Sequence, residues 1–353
     1  MMPAYNAGAF IGPAIESIQT QTYTRWELIV VNDGSTDRTP EILAGISDER
    51  IRVFHQENAG EAAARNRALQ EIHGEFLAFL DSDDEYEPNF LARMVETLRP
   101  RPDLDGVYSD GVYVDPAGRS LAALSDHRRG PFAGDLFEAL VRASDVFGPP
   151  ICLLLRSRMV RASGLNFDTR IVIGPDWDFT TRLAETARFG YLAEKLVRYR
   201  VHTTNITVTA GNQKRRDSLA LCREKAINLI RFTECSIETR AYVFYDLLIN
   251  LLVGNPSRQE EVTHWPQFQQ LPVLEQARLY RLLASQTIRD QEYSAQTRAW
   301  LEQARQTNPR DPKNLVLYWA YRISPRLCSL LLQVRQKSLP DSRDITPFNI
   351  DEK

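Results

Sequence analysis

The N-terminal half of the chain alternates short apolar runs with helix-like segments, and this alternation predicts a sheet flanked by helices. Residues 26–31 (WELIVV) are rich in branched side chains and stop at the turn-forming residues 32–35 (NDGS). Residues 75–80 (EFLAFL) have the composition of a buried strand and run directly into residues 81–84 (DSDD). Because ligands bind outside the carboxyl ends of the strands in open α/β sheets, we expect a site where these two runs end.

This alternation of short apolar runs and helix-like segments continues to about residue 210 and then changes. Further predicted elements are a helix capped by Thr36 or Asp37, strands at 51–54 and 151–155, helices at 60–72, 88–100 and 176–187, a hairpin of 107–114 with the segment after 118, and an extended run at 191–201. Beyond that point, helical patterns such as 219–232 and 242–252 replace the strand signals. We therefore predict an α/β domain of residues 1–210, a helical region of residues 211–337 and a flexible tail of residues 338–353.

Composition and charge exclude several classes of protein. The 353 residues are 43% hydrophobic and 25% charged, with a formal net charge of −3, which is typical of a globular protein and disfavours nucleic acid as a partner. The chain has no phosphate-binding GxxxxGK[ST] loop, no GxSxG turn and no HExxH pair. Enzymes that depend on those motifs are therefore not supported.

The cysteines and the apolar segments indicate the cellular compartment of the protein. Four widely spaced cysteines form no CxxC pair, which favours a reducing compartment: Cys152, Cys222, Cys235 and Cys328. No stretch resembles a signal peptide, and no run of about 18 apolar residues predicts a spanning helix. We expect a cytoplasmic protein.

One amphipathic segment near the C-terminus leaves two roles open. Apolar side chains at Leu315, Leu317, Trp319, Ile323, Leu327, Leu330, Leu331 and Leu332 are accompanied by Lys313, Arg322, Arg326 and Arg335. Packing as a helix against its own domain or a partner is the commoner role of such a pattern. Peripheral contact of residues 315–335 with the inner face of the plasma membrane is the alternative.

The acidic run at residues 81–84 could hold a metal ion. An Asp-x-Asp at the end of a buried strand places two oxygen ligands close together, and these suit Mg²⁺ or Mn²⁺ when phosphate oxygens complete the shell. A solvated loop or a helix cap explains many acidic turns equally well. The other motifs of the chain decide between these interpretations.

Six segments, taken in order, resemble the inverting family 2 glycosyltransferases of the GT-A fold. They are Pro3-Ala4-Tyr5-Asn6, residues 31–37 (VNDGSTD), residues 58–60 (NAG) with 64–66 (ARN), Asp81-Ser82-Asp83-Asp84, residues 174–178 (GPDWD) with Arg182-Leu183, and residues 199–202 (YRVH). The resemblance covers about residues 1–208. It implies a Rossmann-like mixed sheet flanked by helices, with residues 1–210 as the catalytic domain.

The resemblance also implies a nucleotide-sugar site. Its residues would be Pro3, Ala4, Tyr5, Asn6, Asp33, Gly60, Arg65, Asp81 and Ser82. Tyr5 would offer a flat face to the base, Asp33 would accept a hydrogen bond from a uracil-like N–H, and Arg65 would face phosphate or anchor the acidic loop. Structural roles are the alternatives: Tyr5 would fill the sheet edge, Asp33 would shape a turn and Arg65 would be a surface arginine.

The resemblance implies metal and catalytic residues as well. Asp83 would bind the metal, Asp81 would contact ribose or metal, and His202 would bind the ion or donate to the diphosphate. Asp84 has no assigned role. Asp176 would be the general base, with Asp178 as the second choice, although relatives carry Glu-Asp where this chain has Pro175-Asp176. Capping of its helix is the alternative role of Asp176.

These expectations describe a glycosyltransferase, and a protein without catalytic activity is the alternative. The chain would be a hexosyltransferase-type enzyme that moves a sugar, with UDP-sugar favoured as the donor, to a hydroxyl of a saccharide or lipid-linked acceptor in cell-surface glycan synthesis. A glycosyltransferase that uses polyprenyl phosphate as its acceptor is one alternative. Relatives carry several apolar residues before the Pro-x-Tyr-Asn element, so the first strand here is either short or has a misassigned start. That strand and the absent acid before Asp176 motivate the alternative, a catalytically silent nucleotide-sugar-binding or scaffold protein.

Overall fold

The computed structural model describes residues 1–128, 133–254 and 256–336 and divides into two compact units. The first unit is Met1–Ile230 and the second begins at Arg231. The strands are β1 Met2–Ala4, β2 Leu28–Asp33, β3 Ile51–Gln56, β4 Phe76–Ala78, β5 Glu85–Tyr86, β6 Gly106–Val114, β7 Ser120–Ala123, β8 Leu153–Arg156 and β9 Phe189–Arg200. The helices of the first unit are α1 Ile11–Gln19, α2 Thr39–Ala44, α3 Glu61–Glu71, α4 Phe90–Leu98, α5 Phe137–Arg142, α6 Ser157–Ser163, α7 Pro175–Leu183, α8 Ile206–Thr209 and α9 Asn212–Ile227.

The first unit is an α/β fold with two sheets and flanking helices, in agreement with the α/β fold that the alternating sequence pattern predicts. The strands β1, β2 and β3 are parallel, in that order, and every residue of β2 is buried. A second sheet has the order β4-β8-β6-β9-β5, with β7 paired to β6 in the predicted hairpin. Because parallel strands end at the same edge, β1 and β2 deliver residues 5–6 and 33–35 side by side.

The first strand, β1, has only three residues in this sequence. It pairs with Val30, Val31 and Asn32, so Leu28 and Ile29 have no β1 residue opposite them. The Met1 ammonium donates to the Ala78 carbonyl oxygen at 2.8 Å, and burial lowers the pKa of this amine to about 5. A cavity of about 550 Å³ lies beside it, bordered by residues of β2 and β4.

The helix α3 carries the small side chains that the sequence predicts for close packing on the sheet. Ala62, Ala64 and Ala68 are buried, and the helix contacts β1 and β2. It begins after Gly60, whose φ of +90° lies in the region that favours glycine. This packing brings the first turn of α3 to the strand ends.

Several predicted elements differ in their bounds. Residues 150–152 form a 3₁₀ turn, so only residues 153–155 of the strand predicted at 151–155 are extended, and β8 continues to Arg156. The helix predicted at 176–187 ends at Leu183. The helix predicted at 219–232 is Asn212–Ile227, which lies in the first unit and contacts α7.

The described part of the second unit is helical. Its helices are α10 Ile237–Gly254, α11 Pro256–Thr263, α12 Pro266–Gln269, α13 Val273–Arg289, α14 Ala295–Thr307, α15 Pro312–Ile323 and α16 Pro325–Gln336. Its core contains a run of neighbouring rings with centroids 5.2–6.0 Å apart, formed by Phe232, Phe244, Phe268, Tyr280 and Trp300.

The amphipathic segment at 315–334 forms parts of two helices, α15 and α16. Pro325 starts α16, because proline has no N–H to donate and disfavours helical geometry in the residue before it. Across the described ranges, none of the helices combines the length and the apolar character needed to cross a membrane. The predicted tail lies outside the described residues.

Candidate active site

The ends of β1 and β2 are tied together by side chains that lie next to the predicted donor residues. The Asn6 backbone N–H donates to Ser35 Oγ at 3.0 Å, and Asn6 Oδ1 accepts from the Thr36 N–H at 2.8 Å. Asn6 has a φ of +48°, a conformation that asparagine tolerates better than most residues. Ala4 is buried in β1, Pro3 is half-buried, and Tyr5 presents its ring to solvent.

Asp33 is buried at the end of β2 and organises the loop before α3. One carboxylate oxygen accepts from Gln56 Nε2 at 2.7 Å and from the Ala59 N–H at 2.9 Å, while the other accepts from the Gly60 N–H at 2.8 Å. Asp33 therefore shapes the loop before α3 through these hydrogen bonds. Gly60 itself is exposed, and no atom lies within 4 Å of the position that a Cβ would occupy, so the loop leaves open space there.

Arg65 is buried beneath the acidic turn, so its interpretation as a surface arginine is wrong. Its Nη1 lies 2.6 Å from Glu61 Oε1 and its Nη2 lies 2.7 Å from Asp81 Oδ1, and its side chain is only 1% exposed. Burial alone would lower the pKa of the guanidinium, but the Glu61 and Asp81 carboxylates outweigh burial and hold that pKa above its usual value. Arg65 thus fixes Asp81 relative to α3.

Asp83 and His202 meet although 119 positions separate them in the chain. The strand β5, which follows the acidic turn directly, pairs with β9, which leads to His202. As a result His202 Nε2 lies 2.9 Å from Asp83 Oδ2, and Thr204 Oγ1 lies 2.8 Å from His202 Nδ1. Phe10 stacks on the imidazole with ring centroids 4.8 Å apart.

Asp84, left without a role by its sequence motif, is a structural anchor. It is fully buried, and its Oδ1 accepts from the Arg200 backbone N–H at 2.7 Å. The Arg200 side chain donates in turn to the Asp83 carbonyl oxygen at 2.9 Å and to the Pro116 carbonyl oxygen at 3.0 Å. The acidic turn is thereby fastened to β9.

Burial and neighbouring carboxylates raise the pKa values of Asp81, Asp84 and Glu61. Burial, then the charge of Asp83, raises the pKa of Asp81 against the opposing effect of Arg65. Burial followed by the charges of Asp83 and Asp81 raises the pKa of Asp84 well above its usual value. Burial is also the largest cause that raises the pKa of Glu61, to about 7. Such a concentration of negative charge favours a cation beside it.

The two candidate bases occupy different environments on α7. The N-cap of the helix is Gly174, and no side-chain cap bond is present, so capping is not the role of Asp176. Asp176 is half-buried, and within the described residues its carboxylate has no hydrogen-bond partner, although its charge acts on Glu61 and Asp81. Asp178 is buried and paired with Arg182 at 2.7 Å and Lys225 at 3.0 Å. The second choice of base is therefore enclosed by cations.

The described residues by themselves do not form a complete metal site. In residues 1–128, 133–254 and 256–336, no three His, Cys, Asp or Glu side chains are placed to ligate one ion. Asp83 and His202 supply one carboxylate and one imidazole side by side, with Asp81 close by in the same turn. This donor set fits a divalent ion whose remaining ligands come from phosphate oxygens.

Several residues of the site are absent from the sequence prediction. Glu61 gives no motif signal of its own, although its spacing of four from Arg65 on a helix is a typical ion-pair spacing. Phe10, Thr204 and Asn205 surround His202, and Asn205 Oδ1 accepts from the His202 N–H at 2.5 Å. Only the fold brings Phe10 to His202.

Comparison of sequences finds relatives among glycosyltransferases. The family model described as Glycosyl transferase family 2 matches residues 1–156. The putative glycosyltransferase EpsH of Bacillus subtilis (strain 168) is 31% identical over 236 residues, which are 64% of this chain and 67% of EpsH. WfgD of Escherichia coli, named UDP-Glc:alpha-D-GlcNAc-diphosphoundecaprenol beta-1,3-glucosyltransferase, is 43% identical over 99 residues, which are 28% of this chain and 39% of WfgD.

Comparison of structures gives the same fold. Crystalline S. aureus TarS 1–349 in complex with UDP-GlcNAc matches with a TM-score of 0.57 at 16% identity, over 95% of this chain and 90% of that one. The mannosyltransferase PcManGT from Pyrobaculum calidifontis, in complex with GDP-Man and Mn²⁺, matches with a TM-score of 0.50 at 18% identity, over 93% and 85%. At such identities the likeness shows the fold, a GT-A domain followed by a helical region.

Proposed function

Because the chain belongs to glycosyl transferase family 2, we propose that it transfers a sugar with inversion from a nucleoside-diphosphate sugar, with UDP-sugar favoured, to a hydroxyl of a saccharide or lipid-linked acceptor. The product would be part of a cell-surface glycan. One observation carries the proposal: contacts run without a break from Asp33 through Gly60, α3 and Arg65 to Asp81, and the same acidic turn reaches His202.

The donor assignment is supported by the strand ends and by two relatives. The exposed Tyr5 ring gives a base a flat apolar face. The Asp33 carboxylate accepts three hydrogen bonds and has about four acceptor sites, so it can both shape the loop and receive a base N–H. The name of WfgD specifies UDP-Glc, and the TarS structure contains UDP-GlcNAc.

We propose that Asp83 and His202 hold a divalent ion, Mg²⁺ or Mn²⁺, together with the donor diphosphate, with Asp81 contacting the ion or the ribose. PcManGT contains Mn²⁺. The ion would neutralise the charge that develops on the departing diphosphate. To serve as a ligand through Nε2, His202 must carry its proton on Nδ1, and Thr204 Oγ1 at 2.8 Å can accept the hydrogen bond from that N–H.

The structure around Asp176 supports it as the general base. Inversion requires the acceptor hydroxyl to attack from the face opposite the diphosphate and to lose a proton as the new bond forms. Asp176 offers a half-buried carboxylate without a hydrogen-bond partner in the described residues, whereas Asp178 is enclosed. Arg65 and Asp81 would position the donor, and Asp176 would take the proton.

A transfer assay with the full chain tests the reaction and the acceptor class. Labelled UDP-glucose or UDP-GlcNAc is incubated with Mn²⁺ and three acceptors: a free saccharide, a diphosphoundecaprenol-linked sugar and undecaprenyl phosphate. Label that enters the organic phase with the lipid-linked sugar, and a product of inverted anomeric configuration, are the expected results. Label on undecaprenyl phosphate would indicate the polyprenyl-phosphate alternative, and retention of configuration would contradict the proposed mechanism.

A further inference from the structure

Five large apolar side chains lie uncovered on the last two described helices. Each is between 55% and 82% exposed, and together they form what we call the α15–α16 stripe: Val316, Trp319, Ile323, Leu327 and Leu330. The first three are spaced by three and four positions on α15, and the last two are three apart on α16, so each set occupies one helix face. Soluble proteins rarely expose so many large apolar side chains together without a function.

The stripe is exposed although both helices are anchored. The opposite faces bury Leu317, Tyr321 and Cys328 in the second unit. Asn314, at the start of α15, donates to the Ala304 carbonyl oxygen at 2.9 Å and accepts from Arg281 at 2.7 Å. The stripe is therefore the outward side of packed helices.

The positive charge of residues 312–336 indicates which kind of partner the stripe binds. Residues 312–336 contain four basic residues, Lys313, Arg322, Arg326 and Arg335, and no Asp or Glu, although the whole chain has a net charge of −3. Arg322 and Arg326 are exposed beside the stripe, and the Arg322 guanidinium lies 5.8 Å from the Trp319 ring centroid. Apolar anchors with a tryptophan and flanking cations match the interface of an anionic bilayer.

We propose that the α15–α16 stripe binds the surface of a membrane that contains anionic lipid. The apolar side chains would enter the boundary between headgroups and acyl chains, and Arg322 and Arg326 would remain among the lipid phosphates. A second copy of the chain fits less well, because a two-fold contact through this stripe would bring its arginines toward those of the partner. The proposal goes beyond the proposed function and does not depend on it.

Vesicle co-sedimentation of the full chain tests the proposal. Vesicles of phosphatidylcholine alone are compared with vesicles of phosphatidylcholine and phosphatidylglycerol in equal parts. The full chain should sediment with the anionic vesicles, and Trp319→Glu with Ile323→Glu should remove this binding. The matched control is Val273→Glu with Leu274→Glu, because these side chains are similarly exposed at the start of α13 and should not matter.

Charge variants separate the electrostatic contribution from the apolar one. Each arginine near an anionic surface contributes roughly a fivefold gain in partitioning, so Arg322→Gln with Arg326→Gln should lower binding to anionic vesicles about 30-fold. Binding to phosphatidylcholine alone should not fall. Melting curves of all variants should overlay that of the unmodified chain, because the substituted side chains are exposed.

Two results would overturn the proposal. One is equal vesicle binding by the stripe variant and its Val273/Leu274 control. The other is a native mass that halves in the stripe variant while neither protein sediments with vesicles, which would assign the stripe to self-association. Release of nucleoside diphosphate in lipid-free buffer should be the same for all these variants, so failure of the membrane proposal can be distinguished from failure of the transferase proposal.

Discussion

Replacing Arg65 by methionine should destabilise the first unit strongly, because the arginine pairs with two partly buried carboxylates. The lost partners are Glu61 at 2.6 Å and Asp81 at 2.7 Å. Removal of one member of a buried ion pair costs about 3–5 kcal/mol. The carboxylate side chains retain 29% and 22% of their exposure, so water compensates part of the loss and we expect about 3 kcal/mol. For a unit of this size that corresponds to roughly 6–12 °C in melting temperature.

The stability that Arg65→Met loses should depend on pH, and the loss should be larger at higher pH. Burial raises the pKa values of Glu61 and Asp81 in the folded chain, and Arg65 opposes that rise, so its removal raises both pKa values further. A carboxyl whose pKa is higher in the folded state than in the unfolded one stabilises the fold when protonated, and that stabilisation is lost as pH rises through the folded-state pKa. Arg65→Met should therefore lose less stability at about pH 5 than at about pH 7.5.

Scanning calorimetry of the full chain measures this difference, and a neighbouring arginine provides the control. Arg67 lies on the same helix, is 45% exposed and pairs with Glu71 at 3.0 Å, so Arg67→Met should cost no more than about 0.5 kcal/mol. If the Arg65→Met and Arg67→Met proteins melt within a degree of each other at both pH values, Arg65 does not hold the acidic turn as described.

Three further outcomes are expected. Asp176→Asn should lower kcat by about 10²–10⁴-fold, as measured by steady-state kinetics, and should leave UDP affinity unchanged in calorimetric titration; full activity would exclude Asp176 as the base. Mn²⁺ should bind weakly to the chain alone and much more tightly with UDP, because Asp83 and His202 supply only two adjacent ligands; equal affinities in the two titrations would contradict this. An apolar strand added before Met1 should raise the melting temperature, because it would fill part of the cavity of about 550 Å³ and remove a buried amine. An unchanged melting temperature would count against that explanation.

The positions of the site residues along the chain could be predicted from the sequence because strand ends and short motifs are local signals. The family and the GT-A fold, predicted from six motifs, are confirmed by the relatives and the structural matches. The individual donor, metal and base assignments remain predictions. Asp81, Asp83 and Arg65 nevertheless lie in one connected site, as the interpretation required.

The roles of neighbouring acids could not be read from the sequence in the same way. Asp83 and Asp84 are adjacent, and only the packing of Arg200 buries one of them and leaves the other facing His202. Asp176 and Asp178 are a different case. Residues two apart on a helix lie about 200° apart around its axis, so they could have been assigned to opposite faces once the helix was predicted.

The amphipathic segment at 315–334 shows another limit. A period of apolar side chains identifies helical structure and an apolar face, but it does not distinguish a face buried in the domain from one that is exposed. Here Leu317 is buried and Trp319 is exposed. The break between α15 and α16 could have been predicted from the sequence, because Pro325 lies within the apolar pattern.

We propose that the acidic turn and His202 act together on a nucleotide-sugar with a divalent ion. The most direct test is release of nucleoside diphosphate from uridine, guanosine and thymidine sugars by the full chain, with and without Mn²⁺, for the unmodified chain, Asp83→Asn and the exposed control Asp103→Asn. We predict metal-dependent release from a uridine sugar that Asp83→Asn abolishes and Asp103→Asn retains. Absence of release from every donor, together with donor binding that Asp83→Asn leaves intact, would contradict the claim.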